Sequence, residues 1–267
     1  MEQCKMVLFE LSELETWMVA YFVILAFILG NVFGSFLNCA AWRIAHNMSF
    51  MRGHSICPNC QHELGALDLI PIVSYVASRG RCRYCKEPIS IRYPITEVLF
   101  GIISVVMLVK DGVSVLYLRD FVFASCLFCL SLVDLEIYEI PNGTLIVAII
   151  TWVLSLPFID ADMNHIVMHV GAAFGFAVAF LVLSLVMDKM LGKDTLGGGD
   201  IKLFFVVGLY LGLVAGMFTV ILAAIVALVF AKGRERIPFG PFISISAWVM
   251  LIFGNPLVQW YLEMIQI

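Results

Sequence analysis

Long apolar runs separated by short polar breaks constrain this chain more than any other feature. A run of about 20 such residues crosses a bilayer as a helix and satisfies its own backbone hydrogen bonds there. Read in order, the runs predict helices at about 17–39, 92–109, 116–134, 141–159, 166–190, 201–213, 214–231 and 241–262. The sixth and seventh can be two short helices broken near Gly212 and Gly216, or one long tilted helix. Only 13% of the 267 residues are charged, against about 25% in soluble domains. The expected fold class is therefore an all-α polytopic membrane protein with about eight transmembrane helices. Met1 to Thr16 carries Glu2, Glu10, Glu13 and Glu15 against Lys5, which is the wrong sign for a cleavable signal peptide.

Charge placement chooses between seven and eight spans. Arg43, Arg52, Arg79, Arg81, Arg83, Lys86 and Arg92 all fall in the first loop, which the positive-inside bias puts in the cytosol. With eight spans, Lys189, Lys193, Lys202, Lys232, Arg234 and Arg236 follow them inside, so 13 of the 16 basic residues are cytosolic and only Lys5, Lys110 and Arg119 are outside. Seven spans would put the Lys232 cluster outside. Eight spans also put Asp134 and Asp200 on one side, the cytosolic one.

The one large polar stretch, about residues 40–91, contains Cys57-Pro58-Asn59-Cys60 and Cys82-Arg83-Tyr84-Cys85. Two such knuckles match four-thiolate zinc spacing, and a reducing cytosol argues against disulfides. Four protein ligands leave no open position, so Cys57, Cys60, Cys82 and Cys85 predict a structural zinc ion. His46, His54 and His62 then read as ordinary loop residues. Cys126 and Cys129, inside an apolar run, read as small packing residues.

Two acids stand out. Asp134 ends one apolar run, with Pro141 placed to open the next helix, and Asp200 follows Gly197, Gly198 and Gly199 just before another. An ionisable group at the rim of a membrane segment is costly and points to function. Two carboxylates in reach of one another share a proton, which supplies both a base and an acid. Asp200 alone reads equally as a helix cap. The glycine run lacks the Lys-Ser/Thr of a phosphate-binding loop. Glu136 and Glu139 read as solvated interfacial acids, and His165 and His169, at the expected outer side, as interfacial. Glu97 is either a first-turn helix partner or a binding group.

Asp134 with Ile140-Pro141-Asn142, Gly197 to Asp200 and the paired knuckles resemble the bifunctional type IV prepilin peptidases, membrane aspartic proteases with a GxGD motif. Gly34-Ser35-Phe36-Leu37-Asn38 leading to Arg43, Leu69 to Ser74, Arg79-Gly80-Arg81-Cys82, Ile89 to Pro94 and Glu97 match the N-terminal part of that family. Ile237-Pro238-Phe239-Gly240-Pro241-Phe242 is similar to its C-terminal signature. Asn142 stands where many relatives carry Asp, and the cysteine loop sets the chain apart from the archaeal preflagellin branch.

The resemblance implies that Asp134 and Asp200 form a catalytic pair on the cytosolic side of the bacterial inner membrane. It also implies a prepilin or pseudopilin substrate cut where its basic leader meets its hydrophobic helix, and methylation of the new N-terminus by S-adenosylmethionine. Gly197, Gly198 and Gly199 would then make room for the substrate backbone. The implied domains are 1–39 (N-terminal segment and first helix), 40–91 (cytosolic zinc loop associated with methyl transfer) and 92–267 (peptidase core). Membrane lipid and the pilin are the expected partners; nucleic acid is not. The residue pattern leaves two rivals: a zinc-regulated proton-coupled transporter, which would want mid-span acids and internal repeats, and a zinc-ribbon scaffold, which leaves both acids unexplained.

Overall fold

The computed structural model describes residues 7–49, 53–159, 162–192, 196–231 and 237–264. Of the positions weighed above, Glu2, Lys5, Arg52, Lys193, Lys232, Arg234 and Arg236 lie outside the described residues. The architecture is helical: α1 (Thr16–Ala45), a short α2 (Val73–Ala77), α3 (Arg92–Asp111), α4 (Val115–Ile137), α5 (Asn142–Ser155), α6 (Met163–Leu191), α7 (Gly198–Ala231) and α8 (Gly240–Met264). All but α2 and α5 are long and apolar enough to cross a membrane, and α5 with the 3-10 turn after it forms a shorter apolar helix. The chain divides into two compact units, Leu8–Val113 and Ser114–Ile267.

In the first unit α1 packs on α3 through small residues, the usual way for helices in lipid to approach closely. A Cβ on Gly30 would lie 2.7 Å from Ser104 Cβ, and one on Gly34 would lie 3.1 Å from the Glu97 backbone. Ser104 Oγ donates to the Ala26 carbonyl and Asn38 bonds Thr96, so the helices run antiparallel. The polar loop between them therefore leaves and re-enters at one end of the pair.

In the second unit α4 is the axial helix, buried on all sides from Arg119 to Asp134 apart from Val122, as an apolar-all-round helix should be. By contrast α6 buries only Ala172, Ala173, Phe176 and Ser184. Its Val178, Leu181, Val182 and Leu185 are exposed, which suits a lipid-facing surface and not water. Arg119 pairs with its neighbour Asp120 at 2.9 Å in a fully buried position and lies over the Tyr210 ring. The basic residue expected outside is thus neutralised locally.

Gly212 resolves the ambiguity of the sixth and seventh runs. It is non-helical (φ 68°, ψ −167°) within an otherwise continuous helical stretch, a conformation open essentially to glycine alone. Contacts on either side belong to a hairpin. Phe176 lies against both Gly208 and Gly216, and His169 lies at Gly212 itself. Phe204 meets Phe239 at 6.3 Å and Phe230 meets Phe242 at 5.9 Å, although a straight helix would separate 204 from 230 by about 39 Å. The chain reverses at Gly212, giving segments 198–211 and 213–231. Eight apolar helical segments result, as the two-helix reading expects. His169 is therefore more than interfacial: its Nδ1 is 2.8 Å from the Leu209 carbonyl and its ring stacks on His165 at the hairpin tip. Gly212→Val should cost about 1–3 kcal/mol of stability, read as a lower thermal midpoint in detergent. An unchanged midpoint would contradict the hairpin.

Candidate active site and metal centre

The hairpin sets the position of both acids. Phe123 of α4 stacks on Tyr210 of segment 198–211 at 3.8 Å, and the two acids lie eleven residues on from that contact along α4 and ten residues back along α7. Asp134 is 5% exposed near the C-terminal end of α4. Its Oδ2 accepts a 2.8 Å hydrogen bond from the Gly240 amide, the first residue of α8. Asp200 sits close enough to Asp134 for the charge of one to act on the other. Tyr138, in the left-handed region at φ 57°, ends α4 and directs the chain out toward Pro141, an uncommon conformation for a residue of that size.

Local starts and stops differ slightly from expectation. α5 begins at Asn142 with Pro141 as its cap residue. α7 begins at Gly198, so Asp200 lies inside the first turn, with its Oδ2 3.2 Å from where a Cβ on Gly197 would lie. A carboxylate in that position is favoured by the helix N-terminus. This placement and proximity to Asp134 are compatible, since a carboxylate has two oxygens.

The three glycines divide their work. A Cβ on Gly199 would meet the Ile140 side chain at 2.9 Å, so this glycine lets the α4–α5 link lie against α7. Gly197 and Gly198 are exposed, and nothing lies within 4 Å of a Cβ on Gly198. Lys202 Nζ donates to Asn142 Oδ1 at 3.0 Å, closing the same corner. Glu136 and Glu139 are exposed. Gly240 is the residue that sequence reasoning left without a role: a Cβ there would lie 2.8 Å from Asp134 Oδ2. Its signal was present in the prolines at 238 and 241, which mark a helix start with a glycine where close approach is needed.

In the first unit the four knuckle cysteines converge, their sulfurs all within 4.8 Å of one another. Cys57 and Cys85 are 4.0 Å apart, near the roughly 3.8 Å edge of a tetrahedron with metal–sulfur bonds of about 2.3 Å. The donor set therefore fits a tetrahedral metal ion. The two knuckles are built alike. The Cys57 amide donates to His62 O and the Cys82 amide to Glu87 O, with Gln61 (φ 57°) and Lys86 (φ 63°) making the matching left-handed turns. The Cys85 and Tyr84 amides bring the Cys82 thiol down to about 7, which favours a thiolate ready to bind a cation. His62 stacks on Tyr84, whose hydroxyl bonds Asp68, so this histidine packs the knuckles together. Cys126 and Cys129 are buried and unbridged, consistent with packing.

Within the same unit a cavity of about 510 Å³ lies between the knuckles and the ends of α1 and α3 that the polar loop joins. Cys57 and Cys82 form part of its wall, with Asn38, Trp42, Tyr75 and Glu97. Glu97 is 7% exposed and accepts from the Ile72 amide at 2.9 Å. It is thus neither a mere first-turn partner nor solvated. Arg43, also buried, donates to the Gly53 and His54 carbonyls and holds the loop across the end of α1.

Comparison with known proteins follows the same division. Residues 28–110 match the Bacterial Peptidase A24 N-terminal domain, and residues 121–232 match the Type IV leader peptidase family. A Bacillus subtilis protein named prepilin leader peptidase/N-methyltransferase is 31% identical over 250 residues, covering 89% of this chain and 97% of that one. Proteins of the same name from Aeromonas salmonicida (31% identical; 81% and 77% covered) and Neisseria gonorrhoeae (28% identical; 89% and 94% covered) are also similar. No solved structure is significantly similar to the chain.

Proposed function

The chain belongs to the type IV leader peptidase family, and from that premise we propose that Asp134 and Asp200 are its catalytic pair. The family and its relatives' names make it a prepilin leader peptidase and N-methyltransferase, in a multi-pass protein of the bacterial inner membrane. What supports the assignment is that Asp134, near the end of α4, and Asp200, in the first turn of α7, lie within range of each other's charge although 66 positions apart in sequence.

One carboxylate takes a proton from a water held between the pair as that water attacks the scissile carbonyl. The other, protonated, donates to the carbonyl oxygen; as the tetrahedral intermediate collapses it takes that proton back, and the first carboxyl passes the water's proton to the leaving amine. The Gly240 amide fixes the Asp134 carboxylate, and the first turn of α7 carries Asp200. Exposed Gly197 and Gly198 leave space for the extended backbone around the cut. The basic residues of the first loop and the ends of α6 and α7 support a cytosolic position for this site, where the substrate's basic leader would lie. Zinc is the metal that the four thiolates suit, and S-adenosylmethionine supplies the methyl group. The transporter reading loses ground because both acids sit at helix ends and no observation favours it.

Intact mass of a co-expressed prepilin tests the reading. Loss of the leader and gain of one methyl group are expected; an unchanged prepilin beside correctly inserted enzyme would overturn it. Gly240→Ala offers a finer check. Its methyl group would push against Asp134 Oδ2, and a displacement of about 1 Å costs on the order of 10²-fold in rate. Initial rates of leader removal measure it, with the thermal midpoint in detergent as the control for folding.

A further inference from the structure

Glu97 presents an unusual situation. Its carboxylate is more than nine-tenths buried, yet its one hydrogen bond among the described residues comes from the Ile72 amide, and no cation pairs with it there. A buried carboxylate without a counter-charge is costly. It faces a cavity whose size, about 510 Å³, lies within the range of small-molecule sites. The other walls include half-buried aromatic rings, Trp42 and Tyr75, the amide of Asn38, the knuckle cysteines Cys57 and Cys82, and the side chains of Arg43, Arg81 and Arg83, the last paired with Asp68. Trp42 is already stacked on one side by His46 at 4.3 Å, so its ring is held. Ile72, whose amide contacts Glu97, has φ 61°, a strained value for a β-branched residue. Strain of this kind is kept where surrounding structure imposes it, often around a ligand.

A site with aromatic faces, a buried carboxylate and arginine side chains in its wall selects a ligand that joins a flat ring to a group carrying both an ammonium and a carboxylate. Aromatic faces attract both stacked bases and cations. Resting on the methyltransferase reading above, we infer that this cavity seats the methyl donor, with its aromatic base against Trp42 or Tyr75, the ammonium of its amino-acid end toward Glu97 and the carboxylate toward the arginine side of the wall. The knuckle sulfurs would then have a second consequence: by forming the wall, the metal-bound loop shapes the donor site. Glu97 is in this sense a positioning residue for the donor's charge.

Titration calorimetry with S-adenosylhomocysteine on the zinc-loaded full-length protein in detergent tests this without turnover. Glu97→Gln keeps an oxygen for the Ile72 amide but removes the charge, so it separates loop anchoring from charge pairing. Glu97→Gln and Trp42→Ala are each expected to weaken binding of S-adenosylhomocysteine or S-adenosylmethionine by at least about tenfold, roughly 1.4 kcal/mol. Zinc stoichiometry and the rate of leader removal should stay within about twofold of the parent. If the parent methylates leader-free pilin and both variants bind S-adenosylhomocysteine as tightly as it does, the cavity is not the donor site. Loss of leader-free pilin binding in the variants with unchanged S-adenosylhomocysteine binding would instead assign the cavity to the substrate terminus and overturn the inference. Failure of the parent both to bind S-adenosylhomocysteine and to methylate would remove the methyltransferase reading itself.

Discussion

Asp134→Asn and Asp200→Asn should each abolish leader removal, by on the order of 10³-fold or more, while the protein remains in the membrane. The magnitude follows from the shared role. Residues that act as a unit in one chemical step lose nearly all of its advantage when either is removed. Asn keeps the shape and one oxygen of each side chain, so the Gly240 amide still has an acceptor at position 134. What Asn cannot do is accept the water's proton or hold one for the leaving amine. The double variant should be no worse than either single one, since both remove the same device. Single-turnover cleavage of a prepilin in detergent or nanodiscs measures the effect, with thermal midpoint and zinc content as controls. Methyl transfer to a pilin already lacking its leader should persist, because Leu8–Val113 forms its own compact unit. Near-parental cleavage by either single variant would overturn the dyad, and loss of methyl transfer in both would show that the change reached the fold.

Much of this arrangement was legible in the sequence because membrane helices follow simple rules. Lipid forces every backbone group to bond within its own helix, so apolar length alone marked the segments. The two knuckles were legible because metal ligation fixes spacing locally. Asp134 and Asp200 were legible as oddities, since rim charges in apolar sequence are rare. Less readable were features that depend on what a distant residue approaches. Gly212 looked like one possible break among two, and only the meeting of Phe176 with both Gly208 and Gly216 shows a full reversal there. Gly240 gave no hint that its amide would reach a carboxylate 106 positions earlier. Glu97 read as a first-turn acid, and its burial against Ile72 required the loop to fold back over the end of α3. His169 read as interfacial because its partner, the Leu209 carbonyl, exists as a free acceptor only where the helix stops at Gly212.

Replacing Cys57 or Cys82 by Ser should strip the metal and disorder the loop it holds, with little loss of leader removal. The reason lies in how little else holds this stretch together. Between α1 and α3 the described loop has two isolated β-bridges, Ile56 with Glu63 and Arg81 with Pro88, one short α2 and a 3-10 turn at Ala66–Asp68. Cys57 and Cys82 are the only buried residues among the described positions of this loop, so it buries too little apolar surface to order itself. A four-thiolate zinc site supplies roughly 10–16 kcal/mol in small metal-binding folds at neutral pH, far above what two bridges contribute. Removing one thiolate also frees the neighbouring turns at Gln61 and Lys86, whose positive φ values are tolerated only while the knuckles are closed. Zinc measured by inductively coupled plasma mass spectrometry should fall from one per chain to well below half, and trypsin should then cut at Arg79, Arg81, Arg83 or Lys86. Acidification should act in the same direction, because protons compete with the metal for the four thiolates and the affinity declines as pH drops. Leader removal should survive within a few-fold, since both acids lie in Ser114–Ile267, whereas binding of S-adenosylhomocysteine should be lost with the wall that Cys57 and Cys82 form. Stoichiometric zinc in both variants would show that the four sulfurs are not the metal site, and intact donor binding in a zinc-free protein would separate the cavity from the knuckles.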